Sequence, residues 1–122
     1  MADTQKLVFM VLHGPDHPEH VTIPFVMGCA ALASDVEVVL GFQADGVELV
    51  RAGVADRINA PGFPALAKLL ADYRELGGSL LVCAPCLNSR GISAADLIDG
   101  TEVVAAGRFI AEITSATNSL VY

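Results

Sequence analysis

The sequence predicts an α/β protein, three layers deep (α/β/α), built on a mainly parallel sheet of about five strands. Three observations carry that expectation. Short runs such as Lys6 to Leu12, Val36 to Gly41 and Ser79 to Val82 are almost continuously apolar, as strands buried on both faces must be. Segments with helical spacing or capping residues alternate with those runs, and a strand, helix, strand succession of this kind makes neighbouring strands parallel. Glycine and proline clusters close the runs sharply.

The first strand, Lys6 to Leu12, is β-rich at Val8, Phe9 and Val11 and is broken by His13-Gly14-Pro15-Asp16-His17-Pro18-Glu19-His20, a loop leaving its carboxyl end. Thr22 reads as the N-cap of a helix with Pro24 in its first turn, running through Met27, Ala31 and Ala33 to about Ser34. Val36 to Gly41 makes the second strand. Asp45 and Glu48 then have capping-box spacing for a short helix that Gly53 ends. Phe63, Leu66, Leu69, Leu70, Tyr73 and Leu76 fall on one face at helical period, and Gly77-Gly78 stops the pattern.

Ser79 to Val82 is the third strand, ending at Cys83 and Ala84-Pro85. Ser93-Ala94-Ala95-Asp96 is a second capping box, for a short helix ending near Gly100. Glu102 to Ala105 reads as a fourth strand, and Phe109, Ile110, Ile113 and Ala116 line a last helix. Ser119 to Tyr122 reads either as a fifth strand or as the tail of that helix. The arrangement is of the Rossmann-like or flavodoxin-like kind, with helices on both faces of the sheet.

At 122 residues the chain has the length of a single domain, 1–122, large enough to bury roughly two-thirds of its unfolded surface. Its hydrophobic fraction of 53% and mean hydropathy of +0.55 are high for a small monomer, so a homo-oligomer is expected. The formal charge of −7 argues against nucleic acid and anionic membranes, whose binding needs a cationic surface. With no apolar run of membrane-span length and no signal-peptide pattern, a cytoplasmic protein without a membrane span is expected. No GxGxxG follows the first strand and no GxxxxGK[ST] or G-x-S-x-G occurs, so nucleotide binding and serine hydrolysis have no fingerprint.

The chemistry concentrates at Cys83 and Cys86. Ligands and reacting groups collect at the carboxyl edge of a parallel sheet, where loops vary while the strands hold them in place. Three cysteines in a reducing compartment do not make a disulfide framework, so the close pair reads as reactive or metal-binding. Thiolate character grows beside N–H donors or a cation. Here Asn88 to Ile92 is expected to curl into a helix whose free N–H groups face the pair, with Arg90 adding positive charge. C-x-x-C spacing also lets one sulfur attack the other. His13, at the end of the first strand, is the histidine best placed to reach Cys83, while His17 and His20 read as solvated loop residues. Cys29, in Met27-Gly28-Cys29-Ala30-Ala31-Leu32, reads as a small buried hydrophobe.

Two rival readings stand beside the reactive pair. One is a metal-binding module with Cys83, Cys86 and one or two loop histidines as ligands. The other is an interaction subunit whose cysteines do no chemistry and simply fill a strand end and turn.

The chain resembles the DsrE/DsrF-like family of small sulfur-relay proteins. The likeness runs through Lys6-Leu7-Val8-Phe9, Gly14-Pro15-Asp16, Val36-Glu37-Val38-Val39, Asp45-Gly46-Val47 and Leu97-Ile98-Asp99-Gly100, and is most specific at Cys83 followed eight residues later by Gly91, with Arg90 between them. The resemblance implies sulfur-carrier or sulfurtransferase-like chemistry in which Cys83 holds sulfane sulfur as a persulfide. It implies sulfur donor and acceptor proteins or small sulfane-sulfur compounds as partners, and assembly as a trimer or hexamer. Cys86 has no counterpart in one branch of that family, the sulfurtransferase subunit TusD, and is expected to act as a resolving thiol. His13, Arg90 and Gly91 are expected to bind or activate at the same site. This chemistry needs no metal and no cofactor.

Overall fold

The computed structural model describes residues 4–122. Its elements are β1 (Lys6–Val11), α1 (Pro18–Ala33), β2 (Glu37–Phe42), α2 (Leu66–Glu75), β3 (Ser79–Cys83), α3 (Ala84–Ser89), β4 (Thr101–Val104), α4 (Ala106–Thr114) and β5 (Asn118–Val121). Short 3-10 turns cover Ala44–Val50, Ala55–Arg57 and Ala94–Asp96. The five strands form one sheet in the order β4-β3-β2-β1-β5, and every neighbouring pair is parallel.

The order explains the layers. The chain steps from β1 through β2 and β3 to β4 in one direction and then returns across the whole sheet to β5. Right-handed crossovers therefore put the helices before β4 on one face and α4 on the other. Packing agrees: Phe25 of α1 meets the rings of Phe42 and Tyr73 on the first face. On the second face, Lys6 of β1 pairs with Glu112 of α4, and Arg108 of α4 pairs with Glu102 of β4. The central strands carry the core, with Val8, Val11, Leu40, Phe42 and Val82 fully buried. Their near-continuous apolar character follows from having a helix layer on both sides. Tyr73, also fully buried, keeps its hydroxyl satisfied by donating to the Ser79 carbonyl at 2.7 Å and the Val38 carbonyl at 3.3 Å.

Several local expectations shift. The first helix begins at Pro18, whose fixed φ suits the first turn, so Thr22 is not its cap. Thr22 is buried inside α1 and its hydroxyl donates to the Pro18 carbonyl at 2.6 Å; Pro24 is likewise interior. Asp45 and Glu48 cap nothing, because their carboxylates are taken by Arg90 and Arg51 and the segment is a 3-10 turn. The helix expected from Phe63 to Leu76 runs over Leu66–Glu75. The capping box at Ser93 and Asp96 is present, but the turn it starts is only Ala94–Asp96. The last segment is a strand: β5 pairs with β1, and the Leu12 N–H donates to the Tyr122 carbonyl at 2.7 Å.

Candidate functional site

The chain leaves the same sheet edge at the ends of β1, β2 and β3, and the cysteine pair lies where the last two exits meet. The helix after β3 starts at Ala84 and not at Asn88 as the sequence suggested. Pro85 favours an early start, since proline is tolerated in a helix's first turn. Cys83 is consequently the last residue of β3 and caps α3, and Cys86 lies in that helix's first turn. The N–H groups of Arg90, Gly91 and Ile92 do not face the pair. They turn back on the Leu87 and Asn88 carbonyls and close α3, and Gly91 takes the left-handed conformation (φ 65°) that this closure requires.

All three cysteines are free thiols. Cys83 is only 9% exposed, and Cys86 is half-buried. Burial pushes the Cys83 thiol above its ordinary range, and the neighbouring Cys86 side chain adds to the rise. The Cys86 main-chain N–H and Arg90 pull the other way without cancelling it. The expectation that this turn favours a thiolate at Cys83 is thus reversed in the resting protein.

Cys86 is served by the loop after β2. The Ala44 N–H donates to its sulfur at 3.3 Å, and Arg90 donates to the Cys86 carbonyl oxygen at 3.2 Å. The other terminal nitrogen of Arg90 donates to Asp45 Oδ1 at 2.8 Å, which ties α3 to the Ala44–Val50 turn and holds the guanidinium above its usual range. Ala44 and Asp45 were invisible to sequence reasoning as site residues. The one signal was Asp45-Gly46 directly after a strand, which reads equally well as a cap.

His13 goes elsewhere. Its ring packs against His20 at 4.4 Å and His17 at 5.0 Å between centroids, and His20 in turn faces Tyr122 beside β5. β2 lies between β1 and β3, so roughly 10 Å of sheet separates the two strand ends. The structure brings together Cys83, Cys86 and Arg90, and leaves His13 in a separate histidine group on the opposite side of β1's exit. Among the described residues no three His, Cys, Asp or Glu side chains are arranged to hold a metal ion, so the histidines and cysteines do not form the shared centre that the metal-module reading needs.

Cys29 sits apart from the pair, in a cleft of about 610 Å³ lined with Ala30, Ala33, Asp72, Glu75 and Leu76. It is half-buried and its thiol donates to the Leu69 carbonyl at 3.5 Å. The cleft holds one thiol beside carboxylates, whereas the pair has two thiols, a main-chain donor and a guanidinium. The chemistry therefore places the candidate site at the pair.

With this geometry in place, the family model of the DsrE/DsrF-like family matches residues 5–122. The chain belongs to that family. It is a family associated with sulfur relay. The uncharacterized protein MJ0760 of Methanocaldococcus jannaschii is 30% identical over 97 residues, covering 80% of this chain; the alignment takes in only 35% of that protein, so this chain spans about a third of its length. A second uncharacterized protein of the same organism, MJ0989, is 25% identical over 96% of this chain and 99% of its own length. Among solved structures, the ychN protein from E. coli superposes with a TM-score of 0.81 at 23% identity, over 98% of this chain and all of that one. The protein of unknown function MTH1491 from Methanobacterium thermoautotrophicum gives 0.72 at 17% identity, over 97% and 99%. These two structures share the fold. No helix among the described residues is long and apolar enough to cross a membrane.

Proposed function

We propose that the chain is a sulfur carrier or sulfurtransferase-like protein that takes up sulfane sulfur as a persulfide on Cys83, with Cys86 as the resolving thiol. The observation that carries this reading is the pair itself: two free thiols three residues apart at the exit of one strand, one buried and one half-exposed. A persulfide is a reactive group that stray thiols strip, so a buried sulfur suits holding it and a more open neighbour suits its release.

Loading is a thiol exchange. The Cys83 thiolate attacks the outer sulfur of a donor persulfide, the new S–S bond forms on Cys83, and the donor leaves as its thiolate. From there the outer sulfur passes to an acceptor thiolate, which regenerates Cys83. Alternatively the Cys86 thiolate attacks the Cys83 sulfur and expels hydrosulfide, leaving a Cys83–Cys86 disulfide that two equivalents of an external thiol reduce. No metal or cofactor is called on in either route. In this reading the chain works as a homo-oligomer; Val121 at 66% exposure and Ile110 at 59% are apolar groups that association would cover.

The experiment is the intact mass of the protein after brief incubation with sodium polysulfide. A gain of one sulfur atom that dithiothreitol removes supports the reading. Unchanged mass under conditions that load a free cysteine peptide refutes it.

A further inference from the structure

The loop leaving β2 does more than abut the cysteine pair. Ala44 stands in the left-handed region (φ 51°), which for a residue with a Cβ costs roughly 1–2 kcal/mol, so something must hold it there. Three contacts do. The Gln43 N–H donates to the Val11 carbonyl at 3.1 Å, fixing the strand end before Ala44. Gly46 lies so close to β1 that an added Cβ would stand 2.1 Å from that same Val11 carbonyl oxygen, fixing the turn after it. Arg90 ties Asp45 to the carbonyl of Cys86. The strained residue between these anchors has its N–H aimed at one atom, the Cys86 sulfur, at 3.3 Å. Strain held in place by its surroundings is a mark of positions where geometry serves chemistry.

We propose that the Ala44 main-chain amide is the donor that stabilises negative charge on the Cys86 sulfur, and that Arg90, tethered by Asp45, is the positioning residue that keeps amide and sulfur together. The inference rests on the persulfide reading and gives its second step a residue. In that step the Cys86 thiolate attacks the Cys83 sulfur, the Cys83–Cys86 bond forms, and the bond to the outer sulfur breaks with hydrosulfide leaving. The two cysteine sulfurs are oxidised and the outer sulfur is reduced, so no further oxidant is needed. Charge on the attacking sulfur before that step is what the amide meets, while the guanidinium holds the two elements together.

The test is competitive alkylation of the full chain at neutral pH with iodoacetamide, read by peptide mass as the rate of Cys86 relative to Cys29. Arg90→Gln is expected to lower that ratio about fivefold, and Arg90→Lys, which keeps the charge, to restore part of it. A purely structural role for Arg90 loosens the fold and raises all three cysteines together. That result, or an unchanged or increased ratio, overturns the proposal. If Arg90→Gln does not fold, Asp45→Asn decides: it keeps the guanidinium and removes only its tether, and a smaller fall in the same direction is expected, with no fall counting against the amide. Because no sulfur donor is used, the ratio judges the Ala44 amide separately from wild-type loading, which judges the persulfide reading.

Discussion

Cys29 and the Cys83–Cys86 pair are thiol neighbourhoods built by different parts of the fold, and they surround sulfur with different groups. Cys29 lies on α1 over the cleft toward α2, where burial pushes its thiol up and the Asp72 carboxylate pushes it further, with only Lys68 opposing. At the pair, burial also pushes Cys83 up, but Arg90 and a main-chain N–H oppose it, and Cys86 next door has its own amide donor. A half-buried thiol is thus not a reactive one by virtue of its exposure. What differs is whether carboxylates or donors surround the sulfur, and at the pair the loop after β2 brings one donor in from a separate part of the chain.

The comparison breaks most completely at Gly46. A Cβ there meets the Val11 carbonyl oxygen at 2.1 Å and its carbon at 2.8 Å, both main-chain atoms that cannot turn aside. Gly46→Ala is expected to lower stability by about 4 kcal/mol in denaturant titration, the range of a forced backbone shift, and to displace the turn carrying Ala44. In the molecules that remain folded, Cys86 loses its donor while Cys29, in the cleft between α1 and α2, keeps its alkylation rate. Equal changes at both sites show that the two neighbourhoods are not independent.

That Gly46 matters so much could not be read from the sequence, and the reason is instructive. Strands such as Lys6–Val11 and Ser79–Cys83 announce themselves because each residue reports its own burial, and the order of elements then fixes a parallel α/β sheet. The pair at Cys83 and Cys86 was legible for the same reason: both residues lie in one short segment whose chemistry is carried by side chains. Ala44 was not legible, since its contribution is a main-chain N–H and an alanine does not advertise a positive φ. His13 misled because proximity in a sheet depends on strand order, and β2 lies between its strand and that of Cys83. The helix start at Ala84 was missed because Pro85 reads equally as a turn residue and as an early helix residue.

A smaller effect separates the pair's own members. Burial raises the Cys83 thiol, so its thiolate fraction is low at neutral pH and grows as pH rises past the ordinary cysteine range. Its alkylation rate should still be climbing where that of an unperturbed cysteine peptide, titrating at about 8.5, has levelled off. A Cys83 rate that reaches its plateau before that of the peptide contradicts the burial argument.

Smallest is the effect of the carboxylate at Cys29. Asp72→Asn removes a negative charge that holds this thiol up, so Cys29 should be alkylated faster by about threefold at low salt and by less at high salt, where exposed charges are screened. No change at low salt leaves burial alone as the reason Cys29 is quiet.

The central claim is that sulfur rides on Cys83 and that Cys86 removes it, and the direct measurement is intact mass against time after sodium polysulfide for wild type, Cys83→Ser and Cys86→Ser. A serine hydroxyl is close in shape to a thiol but a far weaker nucleophile at neutral pH, so each variant removes one role with little disturbance of packing. Wild type is predicted to gain one sulfur and then lose it as the internal thiol attacks, an attack made efficient by its high effective concentration. Cys83→Ser should gain none, and Cys86→Ser should gain one and keep it longer. Loading that persists in Cys83→Ser and vanishes in Cys86→Ser contradicts the account and places the persulfide on Cys86.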